Sequence, residues 1–259
     1  MSKRVSLRVG PDPSNATARD ITIVPVATEQ PLRNLAWIES NRRKVDELSG
    51  GKLAYVYMPD TLLAGLVSFN RYFFAQVDKE GVILDERFNG GGQVADYVIE
   101  VLNRPLLSYN VARYGAIQRS PAGSIQGPKV MIINELAGSG GDMMPWMFRY
   151  TKTGTLVGKR TWGGLIGVMG FPTLMDGGTI TAPNFRISSP SGEWIAENTG
   201  VAPDVEVELD PKAIREGHDP QLERAVSLAM EELKKHPPAV PIRPPYPDYQ
   251  HPSPAKAAK

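Results

Sequence analysis

Short apolar segments alternate along this chain with segments whose apolar residues recur at helical spacing. The apolar runs predict β-strands, whereas the 3.6-residue spacing predicts helices. Such alternation is typical of an α/β fold with a largely parallel sheet. The predicted strands cover residues 53–58, 81–88, 129–136 and 155–161, followed by a run of strands from about 166 to 209. The predicted helices cover residues 33–49, 62–77, 94–102, 139–151 and 219–235.

The two ends of the chain depart from this alternation. Residues 5–9 and 21–26 flank a turn-rich loop and predict two short strands, which form no stable unit by themselves. Eight of the 23 prolines fall in residues 236–259, and proline favours extended backbone over helix. We therefore expect three parts, namely residues 1–30, a main body at 31–235 and a proline-rich tail at 236–259.

The composition excludes several classes of function. Lys and Arg number 29 against 28 Asp and Glu, so no strong field favours a nucleic acid partner. No apolar run reaches the roughly 18 residues that span a bilayer, and no apolar core of a signal peptide follows the first residues. Cysteine is absent, which excludes disulfides and fits a cytoplasmic chain. No cluster has the spacing of metal ligands, so we expect neither a metal nor an organic cofactor.

The turn after the third predicted strand is the first candidate for chemistry. There a buried-looking strand ends in the small residues Ala137, Gly138, Ser139, Gly140 and Gly141, and a helix follows. Small neighbours permit a strained turn that exposes a serine hydroxyl, and a helix N-terminus offers free N–H groups to an oxyanion. Ser139 is therefore a candidate nucleophile. The alternative is that Ser139 only caps the helix.

The glycine triplet Gly90-Gly91-Gly92 follows the second predicted strand and is the second candidate. Without side chains, its N–H groups can approach a ligand closely. The pattern also fits a dinucleotide-binding fingerprint loosely, but that fingerprint needs an acidic residue about 20 positions further on. Residues 101–134 contain no Asp or Glu, which disfavours a dinucleotide. Paired with Ser139, the triplet becomes a candidate oxyanion partner.

A polar stretch near the end of the main body supplies the third candidate. Glu197 precedes the turn Asn198-Thr199-Gly200, and Asp204 opens an alternating strand. The alternative is that Glu197 is a solvated loop carboxylate.

Four motifs occur in an order that resembles a known family. They are the glycine triplet, the Ser139 turn, residues 158–164 and residues 197–204. Their order resembles that of the tail-specific, or C-terminal processing, serine peptidases, and in particular their tricorn branch. The resemblance covers roughly residues 33–250. It implies a crotonase/ClpP-like spiral core, and it implies that residues 1–30 are the remnant of a PDZ-like domain.

The resemblance also implies roles for individual residues. Ser139 stands where the family has its nucleophile, and Gly92 and Gly140 stand where backbone N–H groups form the oxyanion hole. Glu197 stands where the tricorn branch has the carboxylate that orients a histidine. Residues 163–169 match a segment that binds peptide as an added strand in this family. The expected substrate-binding residues are Gly163, Gly164, Leu165, Ile166 and Gly167.

The sequence departs from this family at the general base. In the tail-specific branch the base is a lysine, and Gly164 stands at its position. In the tricorn branch the base is a histidine upstream of the PDZ-like domain, and none of the three histidines here matches it. Neither Tyr109 nor Asn110 is acidic, although the tricorn branch has a substrate-selecting carboxylate near this point.

The missing base bears directly on activity. A serine hydroxyl is a poor nucleophile until a base removes its proton. We therefore expect a fragment or split subunit that hydrolyses oligopeptides only weakly by itself, with a residual acceleration of about 10³–10⁴ over water. The resemblance further implies a cytoplasmic homo-oligomer and upstream domains that this sequence does not contain.

Two other functions stay open on the sequence alone. One is a peptide-binding or scaffold module that keeps the groove without catalysis. The other is an acyl-CoA enzyme of the crotonase type, in which two N–H groups polarise a thioester carbonyl. The basic residues available for its coenzyme phosphates are Arg104, Arg113, Arg119 and Lys129. These four are equally explained as solvated surface charges.

Overall fold

The computed structural model describes residues 3–13, 16–168, 172–246 and 250 of the chain. Contacts between residues divide the chain into two compact units, Met1–Asn41 and Arg42–Lys259. The domain limits expected from the sequence, at residues 30 and 235, stay predictions. Part of the predicted proline-rich tail, including His251, lies outside the described residues.

The secondary structure follows the predicted alternation. Its first half consists of β1 (Val5–Val9), β2 (Arg19–Ile23), α1 (Gln30–Ser49), β3 (Leu53–Tyr57), α2 (Leu63–Phe74), β4 (Gly81–Asp85) and α3 (Ala95–Leu102). Its second half consists of β5 (Ser108–Asn110), β6 (Gln118–Ser120), β7 (Lys129–Ile133), α4 (Gly140–Tyr150), β8 (Thr155–Gly158), β9 (Val205–Glu206), α5 (Pro211–Arg215) and α6 (Pro220–Lys235).

The first unit contains the two short strands that the sequence predicts. β1 and β2 pair antiparallel, with Val5 opposite Ile23 and Val9 opposite Arg19. The turn-rich residues between them carry the chain from one strand to the other.

Five parallel strands form the central sheet of the second unit, in the order β3-β4-β7-β8-β9. Ile83 of β4, for example, lies between Tyr55 of β3 and Val130 of β7. Parallel neighbours need crossover connections, and α2, α3 and α4 lie in the connections between β3, β4, β7 and β8. The predicted α/β fold with a largely parallel sheet is confirmed.

Both faces of this sheet are buried. On one face, Val56 packs into an apolar cluster with Phe69 and Phe73 of α2 and with residues of α3 and α4. Alternate strand residues such as Ile83 and Ile132 are also buried, and α6 packs against β4, β7 and β8. Strands covered on both faces carry continuous apolar runs, which is why they were recognisable in the sequence.

A buried ion pair fixes the loop that follows β4. Arg87 is 1% exposed and binds Asp85 at 2.7 Å and Asp219, the N-cap of α6, at 2.8 Å. The Tyr55 hydroxyl donates to the same Asp85 carboxylate at 2.9 Å. Buried charges are tolerated only when they are paired in this way. The pair joins the start of the glycine-triplet loop to α6.

The run of strands predicted between residues 166 and 209 is wrong. The described residues there form β9 and three single bridges, which join Gly167 to Phe185, Thr173 to Thr179 and Ser188 to Trp194. Glycines and prolines recur every few residues in this stretch and interrupt a continuous ladder.

Candidate active site

Ser139 lies at the turn between β7 and α4 in a backbone conformation that side chains rarely adopt. Its φ is 55° and its ψ is −114°. Such a conformation costs about 1–3 kcal/mol and persists only where the surroundings impose it. Here the N–H of Ser139 donates to the Gly164 carbonyl at 3.0 Å and to Asp142 Oδ2 at 2.9 Å. The turn therefore has the strain expected of a nucleophile elbow.

The glycine triplet lies directly against this turn. A Cβ on Gly91 would lie 2.7 Å from Ser139 Cβ and 3.1 Å from its Oγ, so only glycine fits there. Asn89 fastens the two loops together. Its carbonyl accepts from the Gly138 N–H at 3.1 Å, and its Oδ1 accepts from the Gly91 N–H at 2.9 Å. The structure thus brings the first two sequence candidates together.

Gly92 and Gly140 meet beside Ser139. A Cβ on Gly140 would lie 2.7 Å from the Gly92 nitrogen. In the part of the chain that the structure describes, neither N–H has a hydrogen-bond acceptor. Two unoccupied N–H groups from separate loops, next to a serine, are the donors that an oxyanion hole requires.

The hydroxyl of Thr61 also lies next to Gly140. Thr61 is fully buried, and its N–H donates to the Gly91 carbonyl at 2.9 Å. A Cβ on Gly140 would lie 1.9 Å from Thr61 Oγ1, so position 140 admits only glycine. Thr61 Oγ1 has no hydrogen-bond partner among the described residues. A buried polar group left unpaired costs about 1–3 kcal/mol.

The predicted substrate-binding segment, residues 163–167, has its N–H groups bound within the chain. Asp142 accepts from Gly163 and Gly164 at 2.8 and 3.0 Å, Glu197 Oε2 from Leu165 and Ile166 at 2.7 Å each, and the Phe185 carbonyl from Gly167 at 2.9 Å. Successive N–H groups that converge on one carboxylate oxygen form a nest. Within the described residues, the carbonyls of Leu165 and Ile166 accept no hydrogen bond. In this conformation the N–H groups of the segment are occupied, so the predicted pairing with an added strand would depend on these two carbonyl groups.

Asp142 is a site residue that the sequence reasoning overlooked. It is fully buried in the first turn of α4, and its carboxylate also accepts from Thr161 Oγ1 at 2.5 Å. Burial raises the pKa of Asp142, while its hydrogen bonds act in the opposite direction. The available signal was an acidic residue three positions after Ser139 at a helix start, where carboxylates bind free N–H groups.

Glu197 is bound to the substrate-binding segment, as its two hydrogen bonds above show. No hydrogen bond between Glu197 and Ser139 occurs among the described residues. His218 and His236 each pair with a glutamate of α6, at 3.2 and 3.4 Å. No histidine within the described ranges therefore forms a hydrogen bond with Ser139.

Glu86 is a second buried carboxyl group, at the start of the glycine-triplet loop. It is fully buried, and its Oε2 lies 3.5 Å from Asn89 Nδ2. Its Oε1 has no partner in the part of the chain that is described. Burial raises the pKa of Glu86 well above its ordinary value, and the negative charges of Asp142 and Asp85 add to the rise. Burial therefore favours the neutral acid over the carboxylate.

A cavity of about 580 Å³ opens beside Ser139. Ser139, Gly92 and Gly140 line it together with residues of the 163–167 segment. Most of its remaining wall is apolar and comes from Leu62, Met143, Met147, Val168, Phe185 and Ile187. Asp96 and Gln93 are its exposed polar residues. The site therefore combines a serine, two N–H donors and an apolar pocket.

None of the helices in the described residues is long and apolar enough to cross a membrane. Nor does that part of the chain bring three or more His, Cys, Asp or Glu side chains together as a metal site would.

Residues 52–207 match the family described as "Peptidase family S41". This chain belongs to that family. The family expected from the four motifs is thereby confirmed, and the matched range includes Ser139, Glu197 and the two glycines predicted for the oxyanion hole, Gly92 and Gly140.

Several proteins similar to this S41 chain are tricorn proteases or are named as tricorn-like. The tricorn protease of Thermoplasma acidophilum is 38% identical over 226 residues, which make up 87% of this chain and 21% of that protein. A protein of Sulfurisphaera tokodaii, provisionally named tricorn-like protease C-terminal subunit, is 38% identical over 215 residues, or 83% of this chain and 25% of its own.

The crystal structure of the tricorn protease shares this fold. It matches with a TM-score of 0.83 at 36% identity, over 90% of this chain and 23% of that one. The S41 chain therefore spans about a fifth to a quarter of the length of the relatives named here.

Proposed function

We propose that this S41 chain carries the nucleophile half of a serine peptidase active site. Ser139 is the nucleophile, and the N–H groups of Gly92 and Gly140 form the oxyanion hole. Glu197 orients the base, as the resemblance implies, and its Oε2 also accepts from the N–H groups of Leu165 and Ile166. One observation carries the proposal: Ser139, at a φ of 55°, stands beside two N–H groups that lack an acceptor within the described residues.

The proposed reaction begins when Ser139 Oγ attacks the carbonyl carbon of a peptide bond while a base takes its proton. The carbonyl oxygen becomes an oxyanion that Gly92 and Gly140 stabilise, each donor being worth about 10²–10³-fold in rate. The C–N bond then breaks, the base returns the proton to the leaving amine, and an acyl group remains on Ser139. Water, deprotonated by the same base, hydrolyses this ester and frees Ser139.

The general base is proposed to reach Ser139 from outside the described residues. Three observations support this. The described histidines pair with α6 carboxylates, Gly164 stands at the lysine position, and this S41 chain corresponds to a small part of its relatives. The chain by itself would then keep only the acceleration of about 10³–10⁴ that an oxyanion hole and binding provide.

The proposed substrate is an oligopeptide with a large apolar side chain beside the attacked carbonyl. The cavity next to Ser139 supports this, because its apolar wall would take such a side chain out of water. Met143 and Met147, one helical turn apart, are flexible enough to fit aliphatic and aromatic groups alike. A basic side chain would meet only the exposed Asp96 there.

Several finer expectations stay predictions of the resemblance. They are the crotonase/ClpP-like spiral, the PDZ-like origin of residues 1–30, a homo-oligomer and a cytoplasmic location. The order of the central strands, each placed beside the previous one, is compatible with a spiral.

The two alternative functions have less support. Of the four basic residues considered for coenzyme phosphates, none lines the cavity beside Ser139, and S41 membership favours peptide chemistry. A binding module without catalysis differs from the proposal only in the reactivity of Ser139, which an experiment can measure.

Reaction of the chain with a serine-directed fluorophosphonate, and hydrolysis of a fluorogenic peptide with leucine before the scissile bond, test the proposal. Both are measured with and without added imidazole, which can replace a missing histidine base. We expect slow labelling and hydrolysis that imidazole accelerates in the wild type but not in Ser139→Ala.

Two results would contradict parts of the proposal. Full activity without imidazole, lost in Ser139→Ala, would show that the chain contains its own base. No reaction at Ser139 under any condition, with peptide binding retained, would favour the non-catalytic module.

A further inference from the structure

We infer that Asp142 is a positioning residue that couples the nucleophile turn to the substrate-binding segment. Through this carboxylate, Ser139 and residues 163–164 are held as one unit. The inference rests on the proposed roles of Ser139 and of that segment, and it adds a residue to which neither the motifs nor the resemblance gives a role.

Each carboxylate oxygen of Asp142 accepts two hydrogen bonds. Oδ2 accepts from the N–H groups of Ser139 at 2.9 Å and Gly164 at 3.0 Å. Oδ1 accepts from Thr161 Oγ1 at 2.5 Å and from the Gly163 N–H at 2.8 Å. A carboxylate has about four acceptor sites, so the group is fully used. Oδ2 alone joins the two segments, with one donor from each.

These partners distinguish Asp142 from an ordinary helix cap. A cap binds N–H groups of the first turn that follows it, whereas Gly163 and Gly164 lie 21 and 22 residues further along the chain. The Ser139 N–H also donates to the Gly164 carbonyl at 3.0 Å. Ser139, Asp142 and Gly164 therefore form a closed triangle of hydrogen bonds.

The triangle explains how a rare backbone conformation persists at the nucleophile. Ser139 keeps its positive φ only while its surroundings impose it. Its N–H donates to Asp142 Oδ2 and to the Gly164 carbonyl, and the Gly164 N–H in turn donates to Asp142 Oδ2. A movement of the substrate-binding segment would therefore move the Ser139 backbone with it.

The arrangement also predicts which substitution breaks the coupling. Asp142→Ala removes both acceptor oxygens, so all four hydrogen bonds are lost. Asp142→Asn would not serve, because its oxygen can still accept from Ser139 and Gly164 while its NH₂ group donates to the Thr161 hydroxyl. Glu197 offers a matched control. Both hydrogen bonds that it accepts from the 163–167 segment end on one oxygen, Oε2, so the side-chain oxygen of a glutamine can keep them.

Hydrogen exchange followed by mass spectrometry tests the coupling without requiring catalysis. Wild type, Asp142→Ala and Glu197→Gln are compared as the full chain under native conditions. We expect Asp142→Ala to accelerate exchange about tenfold or more in residues 137–142 and 161–166 together. Glu197→Gln should leave residues 137–142 as in the wild type. Acceleration in only one of the two segments, or in neither, would overturn the inference.

A second measurement separates positioning from general destabilisation. The maximal rate of Ser139 phosphonylation, with imidazole present, should fall about 100-fold in Asp142→Ala while reversible binding of the reagent changes little. Asp210→Ala removes the N-cap of α5, which does not line the cavity beside Ser139, and should keep the wild-type rate. An equal loss in both variants would overturn the positioning role.

Failure of the proposed function can be told apart from failure of the coupling by Asp142. If wild-type Ser139 does not react at all, the proposed function fails, and the exchange experiment still decides the coupling. If Asp142→Ala does not fold, Thr161→Val, which removes one donor from Oδ1, takes its place in the exchange test. It should accelerate exchange in both segments by a smaller factor, and unchanged exchange in residues 137–142 would overturn the inference.

Discussion

The indole of Trp162 occupies the space into which a side chain at position 164 would point. A Cβ on Gly164 would lie 2.4 Å from Cζ3 and 2.5 Å from Cε3 of that ring. In the tail-specific branch, as the resemblance implies, a lysine base occupies this position. Because the ring already fills the space, a base at position 164 would have to displace Trp162 to reach Ser139.

The first prediction concerns this pair of residues. Trp162 is 71% exposed, so its ring can turn away into solvent when a methyl group is added at position 164. We expect Gly164→Ala to lower the free energy of unfolding by about 1 kcal/mol in the wild type and by much less in a Trp162→Ala background. Urea denaturation of the four proteins measures this coupling. Equal costs in the two backgrounds would mean that Trp162 is not the obstacle.

Gly140→Ala should behave very differently from Gly164→Ala. Its Cβ would lie 1.9 Å from Thr61 Oγ1 and 2.4 Å from the Gly92 carbonyl oxygen, and a backbone carbonyl cannot turn away as an exposed ring can. The new methyl group would also separate the two proposed oxyanion donors. We expect about 1–3 kcal/mol of lost stability and about 10²–10³-fold slower phosphonylation of Ser139. Wild-type reactivity in a folded Gly140→Ala protein would remove Gly140 from the oxyanion hole.

The buried hydroxyl of Thr61 leads to a prediction of increased stability. Thr61 Oγ1 has no hydrogen-bond partner among the described residues, so replacing it by a methyl group removes an unpaired polar atom. We expect Thr61→Val to raise the free energy of unfolding by about 1 kcal/mol. Thr61→Ser, which keeps the hydroxyl and loses the methyl group, should lower it. A loss of stability in Thr61→Val would indicate that the hydroxyl has a bound partner in solution.

Glu86 should make stability depend on pH. Because burial raises the pKa of Glu86 above its ordinary value of 4.5, the folded chain holds this proton more tightly than the unfolded chain. Its stabilising contribution is complete below about pH 4.5 and is lost as the pH rises through the raised value. In Glu86→Gln the neutral shape is kept at every pH.

The prediction for Glu86 is therefore that the free energy of unfolding depends differently on pH in Glu86→Gln and in the wild type. The variant should become more stable than the wild type as the pH rises, by up to about 1.4 kcal/mol per pH unit within the titration range. Denaturation between pH 5 and 9 measures it, with the exposed Glu193→Gln as a control that should follow the wild type. Parallel curves for wild type and Glu86→Gln would refute the raised pKa.

Much of the fold and part of the site could be predicted from the sequence because their signals are local. The buried run Val130-Met131-Ile132-Ile133 has the length and composition of a central strand, and the small residues around Ser139 permit a strained turn. The glycine triplet after a strand likewise predicted a loop whose N–H groups can approach a ligand closely. These features depend on neighbours within a few positions, and the structure contains each of them.

Tertiary structure alone decided which groups those loops bind. Asp142 reaches Gly163 and Gly164 across 21 and 22 positions, Glu197 reaches Leu165 and Ile166 across 32 and 31, and no local pattern encodes such partners. The loops that replace the strands expected between residues 166 and 209 were equally hidden, since alternating polarity does not reveal whether a second strand is in place to pair. Periodicity and turn chemistry are properties of short segments, whereas the pairing of a buried donor with its acceptor depends on how distant segments pack.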